Sequence, residues 1–159
     1  MILGMSTFTF IHVALSLVGI VSGVVVVAGM LKSNLLAGWT LLFLATTVAT
    51  SMTGFGFHRE QLLPSHIVGI ISLILLAVAI LALYVFALRG AWRRIYVVTA
   101  VASLFLNVFV LIVQGFLKVP ALHALAPTQN EPPFAIAQGI ALIAFIAIGI
   151  SAARKFHPR

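Results

Sequence analysis

Long apolar runs separated by short polar breaks dominate the order of hydrophobic and polar positions in this chain. A helix that crosses a bilayer needs about 20 mostly apolar residues. Five windows are this long, so we predict five transmembrane helices at about residues 7–31, 35–57, 65–88, 95–117 and 134–153. The breaks between them are polar, basic or proline-rich, and the prolines of the loop at residues 118–133 interrupt any long helix there.

The composition supports a membrane protein. Apolar residues make up 63% of the chain and charged residues 7%, against roughly 45–50% and about 25% in soluble domains. These values exclude a soluble globular enzyme, a disordered chain and a nucleic-acid-binding domain. The net charge of +7 reflects nine Lys and Arg against only two acids, and no basic stripe is present. We therefore predict an all-α polytopic bundle, with residues 1–159 forming a single transmembrane domain.

The positive residues indicate an orientation, because Lys and Arg are enriched in cytoplasmic loops. With five spans, one side receives Lys32, Arg89, Arg93, Arg94, Arg154, Lys155 and Arg159, and the other receives Arg59 and Lys118. This distribution predicts an N-terminus outside and a C-terminus in the cytoplasm. The expected location is the cell membrane, and we expect a bacterial inner membrane.

The polar residues concentrate towards the predicted outer side. The outer third of the spans and the outer loops hold His12, His58, His66, Gln114, Lys118, His123 and Gln138. Polar side chains are costly in a bilayer and commonly mark functional sites. The pattern predicts a polar pocket that opens outwards above an apolar floor. The chain has no cysteine, so any ligand or metal must be bound by histidines, amides, hydroxyls or glutamates.

Helical periodicity predicts which way several of these side chains point. On the first helix, His12 shares a face with Ser16, Gly19 and Gly23, so we expect His12 to point into the bundle. The two glycines form a GxxxG motif, whose simplest role is close helix packing. On the second helix, Thr47, Ser51, Gly54 and His58 share a face, and we expect the hydroxyls to bond to their own backbone.

The fourth helix carries a polar stripe. Its members are Thr99, Ser103, Asn107, Gln114 and Lys118, spaced by four or seven residues. Asn107 lies near the middle of the span, where an asparagine needs a hydrogen-bond partner. We expect a structural hydrogen bond from Asn107 to another helix.

A haem b site is the first hypothesis for the outer cluster, because histidines on facing helices can ligate haem iron. His12 and His66 are the candidate axial ligands, and Gln114 and Gln138 are further candidate binding residues. A quinone or a lipid is the next candidate ligand. Electron transfer or haem sensing would follow from a bound haem.

A copper or zinc site is the second hypothesis, with His12, His58, His66 and His123 as ligands. Zinc prefers four nitrogen or sulfur ligands in a tetrahedron. The gap between His58 and His66 is too long for one helical turn. Interfacial histidines without a role are the simplest interpretation of His58 and His123.

These observations predict a small multi-pass membrane protein that binds a cofactor or ligand in its outer half, with haem b favoured. No catalytic residue is predicted; an enzymatic role, if present, would be that of a membrane redox component. The alternative is an accessory or pore-forming subunit that assembles through small-residue helix faces and the polar stripe. The expected partners are the lipid bilayer and a homo-oligomer or larger membrane complex, with no nucleic acid.

Overall fold

The fold is helical throughout the described part of the chain, residues 2–57 and 64–159 of a computed structural model. The helices are α1 (Thr7–Leu31), α2 (Ala37–Gly54), α3 (Pro64–Ile80), α4 (Trp92–Lys118), α5 (Pro120–Leu125) and α6 (Pro132–Lys155). A π-helical segment, Leu81–Val85, extends α3. No strand forms within these ranges beyond an isolated bridge between Ile2 and Met5.

Four helical segments are long and apolar enough to cross a membrane. They are Thr7–Leu31, His66–Val85, Trp92–Lys118 and Pro132–Lys155, and they coincide with four of the five predicted spans. α2 has 18 residues and is less apolar, since it contains Thr40, Thr46, Thr47, Thr50, Ser51 and Thr53. The architecture is therefore that of a helical bundle suited to a bilayer.

The predicted helix bounds differ from the observed ones where polar residues join a helix. α1 matches its predicted bounds and begins after Ser6, whose hydroxyl accepts a hydrogen bond from the Thr9 amide at 3.1 Å. α4 begins at Trp92 instead of residue 95, because its first turn includes Arg93 and Arg94. Hydropathy identifies only the apolar part of a helix. The helix itself continues into the membrane–water interface for as long as its backbone hydrogen bonds are satisfied.

The predicted loop at residues 118–133 is partly helical. Pro120 occupies the first turn of α5, and α6 also begins with two prolines. Proline is tolerated in the first turn of a helix, where its missing N–H would have no partner. The prolines therefore mark where these helices start, and they also prevent a single long helix from continuing through the loop, as predicted.

The bundle has two chemically different ends. The "arginine end" is where α4 begins and α6 ends; the "histidine end" is where α1 and α3 begin. Packed apolar side chains fill the half next to the arginine end, including Val26, Met30, Phe43, Leu76, Tyr96, Leu104 and Phe156. This cluster is the apolar floor that the sequence predicts.

The glycines of α1 allow close packing inside the bundle. A Cβ added to Gly23 would lie 2.7 Å from Leu104 Cδ1 and 2.9 Å from Phe43 Cε2. A Cβ at Gly19 would lie 3.1 Å from the Thr47 hydroxyl oxygen. α1 thus packs directly on α2 and α4 at these positions. The packing interpretation of the GxxxG motif is confirmed, and this face is covered within the chain.

Candidate ligand cavity

A polar cavity of about 90 Å³ lies between α1, α2, α3 and α4, above the apolar cluster on the side of the histidine end. Its lining residues are His12, Ser16, Thr50, Ser51, Gly54, Val68, Gly69, Ser72, Leu106, Asn107 and Val110. Six of them, namely His12, Ser16, Thr50, Ser51, Ser72 and Asn107, carry polar side chains. His12 therefore points into the bundle, as its helical face predicts.

The hydrogen bonds around His12 fix the tautomer of its imidazole. The Nδ1 atom of His12 lies 2.7 Å from the Thr53 hydroxyl oxygen. Thr53 donates its own hydroxyl hydrogen to the carbonyl oxygen of Ala49, also at 2.7 Å. Since a carbonyl can only accept, Thr53 must accept from His12, and a neutral His12 carries its hydrogen on Nδ1. Its Nε2 atom is then a bare acceptor, with no hydrogen bond to any described residue.

Neighbouring groups of α2 and the residues after it hold the imidazole in place. The Phe57 ring meets the His12 ring edge to face, with centroids 5.1 Å apart and planes at 82°. Gly54 lies beside the ring, and a Cβ there would be in ordinary contact with His12 Cε1 at 3.7 Å. The orientation of His12 is set by Thr53 and Phe57 together.

The hydroxyls of the cavity wall bond mainly to their own helix, as predicted. Thr50 donates to the Thr46 carbonyl at 2.8 Å, and Ser51 to the Thr47 carbonyl at 3.0 Å. The Ser51 and Ser72 hydroxyl oxygens are 3.1 Å apart and link α2 to α3. Because hydroxyls that have donated keep lone pairs, the wall presents chiefly hydrogen-bond acceptors to the cavity.

The expected interhelical hydrogen bond of Asn107 does not form, so that prediction is wrong. The Asn107 Nδ2 atom is buried and makes no hydrogen bond to a described residue, and the same holds for the Thr47 hydroxyl. Both lie beside Gly19, at 3.5 and 3.1 Å from where its Cβ would stand. Gly19 lets α1 approach α2 and α4 closely, but it has no side chain that could accept a hydrogen bond from Asn107 or Thr47.

The other candidate binding residues lie outside the cavity lining. The His66 ring stacks on Phe55, with centroids 5.6 Å apart. Gln138 is half-buried on α6 and donates from Nε2 to the Phe109 carbonyl at 3.2 Å, while its buried Oε1 accepts no hydrogen bond from any residue that the structure describes. Gln114 is exposed. These residues and His12 are thus distributed over several surfaces of the bundle.

The metal hypothesis gains no support from the described residues. No group of three His, Cys, Asp or Glu side chains is close enough to hold a metal ion in residues 2–57 and 64–159. His123 is exposed on α5 and its Nδ1 donates to the Phe116 carbonyl at 3.2 Å. His58 lies outside the described residues, so its predicted role stays a prediction.

The haem hypothesis meets a limit of size. Pockets for drug-sized ligands have volumes of about 300–1,000 Å³, whereas this cavity holds about 90 Å³. A porphyrin would enter only if the four helices moved apart. The residues supply one part of a haem site, because His12 has a bonded Nδ1 and a bare Nε2. The cavity does not have room for the porphyrin ring.

Sequence reasoning missed the contributions of Thr53 and Ser72. Thr53 is one of several hydroxyl residues on α2 that are expected to bond only to their own backbone. That backbone bond uses the hydroxyl hydrogen of Thr53 and so makes its oxygen an acceptor for His12. Ser72 is the one hydroxyl in the middle of the apolar third span, and this isolation was a usable signal.

The fold and the cavity define a helical membrane bundle with a small polar site within it. Comparison with known protein families, curated proteins and solved structures finds no match to this chain.

Proposed function

We propose that this protein binds a small ligand inside the membrane through the Nε2 atom of His12. The observation that carries the proposal is the chain of hydrogen bonds from His12 to Thr53 to the Ala49 carbonyl. It leaves a bare nitrogen on a side chain that lines a polar cavity. An oriented imidazole with its other nitrogen bonded is the usual arrangement of a ligand-binding histidine.

The chemistry of the wall favours a ligand that donates hydrogen bonds. His12 Nε2 and the backbone-bonded hydroxyls of Thr50 and Ser51 all offer lone pairs. A cavity of about 90 Å³ is several times larger than the roughly 10–15 Å³ that one water molecule needs, so it accommodates a small polar group. A hydroxyl-bearing group of that size fits, such as one side of a quinol head, with the remainder of the molecule reaching lipid. Haem b is the second candidate and requires the helices to separate.

We also propose that α2 crosses the membrane, which brings the number of spans to five. Its hydroxyls face inward and, apart from that of Thr47, bond to backbone carbonyls, as Thr46 does to Leu42 at 2.7 Å. Its outward side is apolar, with Leu41 59% and Met52 62% exposed. At about 1.5 Å per residue its 18 residues extend about 27 Å, close to a hydrocarbon core of about 30 Å. The polar composition of α2 is therefore hidden from lipid.

Five spans support the orientation derived from the loop charges. The histidine end would then face outwards and the arginine end the cytoplasm, as the positive-inside rule predicts. In that orientation the cavity lies in the outer half of the membrane.

Identifying the bound molecule tests the proposed function. The protein is purified in mild detergent from the membranes in which it is produced, its absorption spectrum is recorded, and quinones are extracted and quantified. We expect co-purified quinone, or saturable binding of added reduced decylubiquinone, in the wild type and in His123→Ala. We expect neither in His12→Ala. A Soret band that His12→Ala abolishes would identify haem instead and preserve the role of His12.

The proposal fails if His12→Ala and the wild type bind quinol and haem equally, or if neither protein binds either. His123→Ala is the matched control, because His123 is an exposed histidine outside the cavity. Circular dichroism of both variants confirms that the helices are retained.

The alternative function, an accessory or pore-forming subunit, requires different surfaces from those predicted. Gly19 and Gly23 pack within the chain, and Thr99, Ser103 and Asn107 are buried. α6 is the favoured surface for such an assembly, since none of the residues in its most apolar stretch of 18 is buried inside the bundle. A defined oligomer that Ile140→Trp on α6 disperses, with no bound ligand, would support this alternative.

A further inference from the structure

The arginine end contains a basic cleft between the start of α4 and the end of α6. Its volume is about 420 Å³, and its lining residues are Arg93, Arg94, Ile150, Ala153, Arg154 and His157. Three arginines therefore line one opening at the end of the bundle. A guanidinium offers five N–H donors in a fixed geometry that suits phosphate oxygens.

No Asp or Glu side chain within residues 2–57 and 64–159 lies at this cleft. The chain has two acids, of which Glu60 lies outside the described residues. Glu131 is at the opposite end of α6, 23 residues from Arg154 and thus about 34 Å along the helix. Arg93 donates from Nη1 to the backbone carbonyls of Ala153, at 3.3 Å, and Phe156. These bonds hold Arg93 in place without cancelling its charge.

An apolar groove continues from the cleft along the seam between α4 and α6. It has a volume of about 310 Å³ and is lined by apolar residues only, among them Val98, Ala102, Phe105, Ile146 and Gly149. Ile150 lines both the groove and the basic cleft. The two form one continuous surface that is charged at the membrane interface and apolar below it.

The length of this surface matches one leaflet of a bilayer. Arg94 and Phe105 are 11 residues apart on α4, which is about 17 Å along the helix axis. Half of a hydrocarbon core of about 30 Å is about 15 Å. An acyl chain that begins at the arginines would therefore reach approximately the middle of the membrane at Phe105.

We propose that this seam is a binding site for an anionic phospholipid, with its phosphate on the arginines and an acyl chain in the groove. Three arginines at the cleft favour a lipid with net negative charge over a zwitterionic one. Basic pockets between transmembrane helices are a recognised setting for anionic headgroups. The site is separate from the His12 cavity and does not depend on the function proposed for it.

The test compares lipids that share their acyl chains. Purified full-length protein in neutral detergent is titrated with dioleoyl phosphatidylglycerol, with dioleoyl phosphatidylcholine and with inorganic phosphate. Binding is followed by native mass spectrometry and by the midpoint of thermal unfolding. We expect saturable binding and a raised midpoint with phosphatidylglycerol, and at least tenfold weaker binding of phosphatidylcholine and of phosphate.

Two variants distinguish the contribution of the lipid headgroup from that of its acyl chain. In the double variant Arg94→Gln/Arg154→Gln we expect at least tenfold weaker phosphatidylglycerol binding, whereas Arg89→Gln, outside the cleft, is the matched control and stays unchanged. Ala102→Phe fills the groove and keeps the charges, so it too should weaken lipid binding. Ala144→Phe, on the exposed side of α6, is its control.

Three results would overturn the site. Phosphatidylcholine binding as tightly as phosphatidylglycerol removes the charge selectivity. Inorganic phosphate that raises the midpoint as much as the lipid, with no effect of Ala102→Phe, reduces the site to an anion cleft. Ala102→Phe that changes the oligomeric state while leaving lipid binding intact shows that a second copy of the chain occupies the groove.

Discussion

The Nδ1 atom of His12 donates a hydrogen bond to Thr53, whose hydroxyl is itself bonded to the backbone of its own helix. This pair joins α1 to α2 at the upper wall of the cavity and decides which imidazole nitrogen is free to bind a ligand. Thr53 does not line the cavity itself, so in the proposed site it would act on a ligand through the orientation of His12.

Removing the Thr53 hydroxyl should weaken binding without removing the histidine. We expect Thr53→Val to lower ligand affinity about 10–100-fold, the size of effect that partners of metal-binding histidines have. Thr53→Ser keeps the hydroxyl and should restore most of the affinity. Affinity is measured by titration of the molecule identified on the wild type. Equal affinity in Thr53→Val and the wild type would show that the imidazole needs no orientation by Thr53.

A methyl group at Gly23 should destabilise the bundle. Its Cβ would lie within 3.0 Å of Leu104 and Phe43, and overpacking of this kind costs about 1–3 kcal/mol. Gly38→Ala is the control, because a Cβ there meets nothing within 4 Å. Stability is measured by denaturant unfolding in micelles. If both variants unfold alike, α1 does not pack as closely on α2 and α4 as the structure indicates.

Single cysteines should distinguish five spans from four, and the absence of native cysteine keeps the labelling free of background. Cysteines are placed at the exposed positions Thr7, Asn34, Ala91 and Ala124 and tested with a membrane-impermeant maleimide on intact cells. Five spans with an outer N-terminus predict labelling at Thr7 and Ala124 only. Labelling at Thr7 and Ala91, with Asn34 and Ala124 protected, would show that α2 does not cross.

The loop before α6 should respond to acid through Glu131. Partial burial acts to raise the pKa of the Glu131 carboxyl, but hydrogen bonds from the Thr128 hydroxyl and the Thr128 and Asn130 amides outweigh it and lower this pKa below its ordinary value. A lowered folded-state pKa stabilises the fold above the unfolded-state pKa of about 4.3. That stabilisation is lost as the pH falls through the folded-state pKa.

Thermal unfolding between pH 3 and pH 7 checks this expectation. The midpoint of the wild type should exceed that of Glu131→Gln at neutral pH, and the two should converge as the pH falls below about 4. A difference between the two proteins that grows on acidification would mean that the Glu131 hydrogen bonds do not favour the charged carboxylate.

The helices could be predicted from sequence more completely than the site. Apolar runs located α1, α3, α4 and α6, because lipid imposes length and hydropathy on any helix that crosses it. Periodicity also turned His12 correctly into the bundle. It could not show that Gly19 leaves Asn107 without a partner. That outcome depends on the distance between helices, which is set by packing across the whole bundle.

The cavity lining includes His12 but not the other candidate binding residues, for a related reason. His12, His66, Gln114 and Gln138 share a predicted depth in the membrane, but depth leaves the position around the bundle axis undefined. His66 instead stacks on Phe55 and Gln138 bonds to the α4 backbone. The residues that hold His66 and Gln138 in these positions belong to other helices, and a single sequence does not show which residues of different helices come into contact.

The two ends of α6 are each tied to α4 by side chains, through Arg93 on the carbonyls of Ala153 and Phe156 and through Gln138 on the carbonyl of Phe109. Most of the surface between these ties faces outward. α6 can therefore enter the membrane on its own and dock last, after α1–α4 have assembled. Fragments 1–126 and 127–159, produced together, should reassociate into the intact bundle, so α6 need not be joined covalently to the other helices in order to dock.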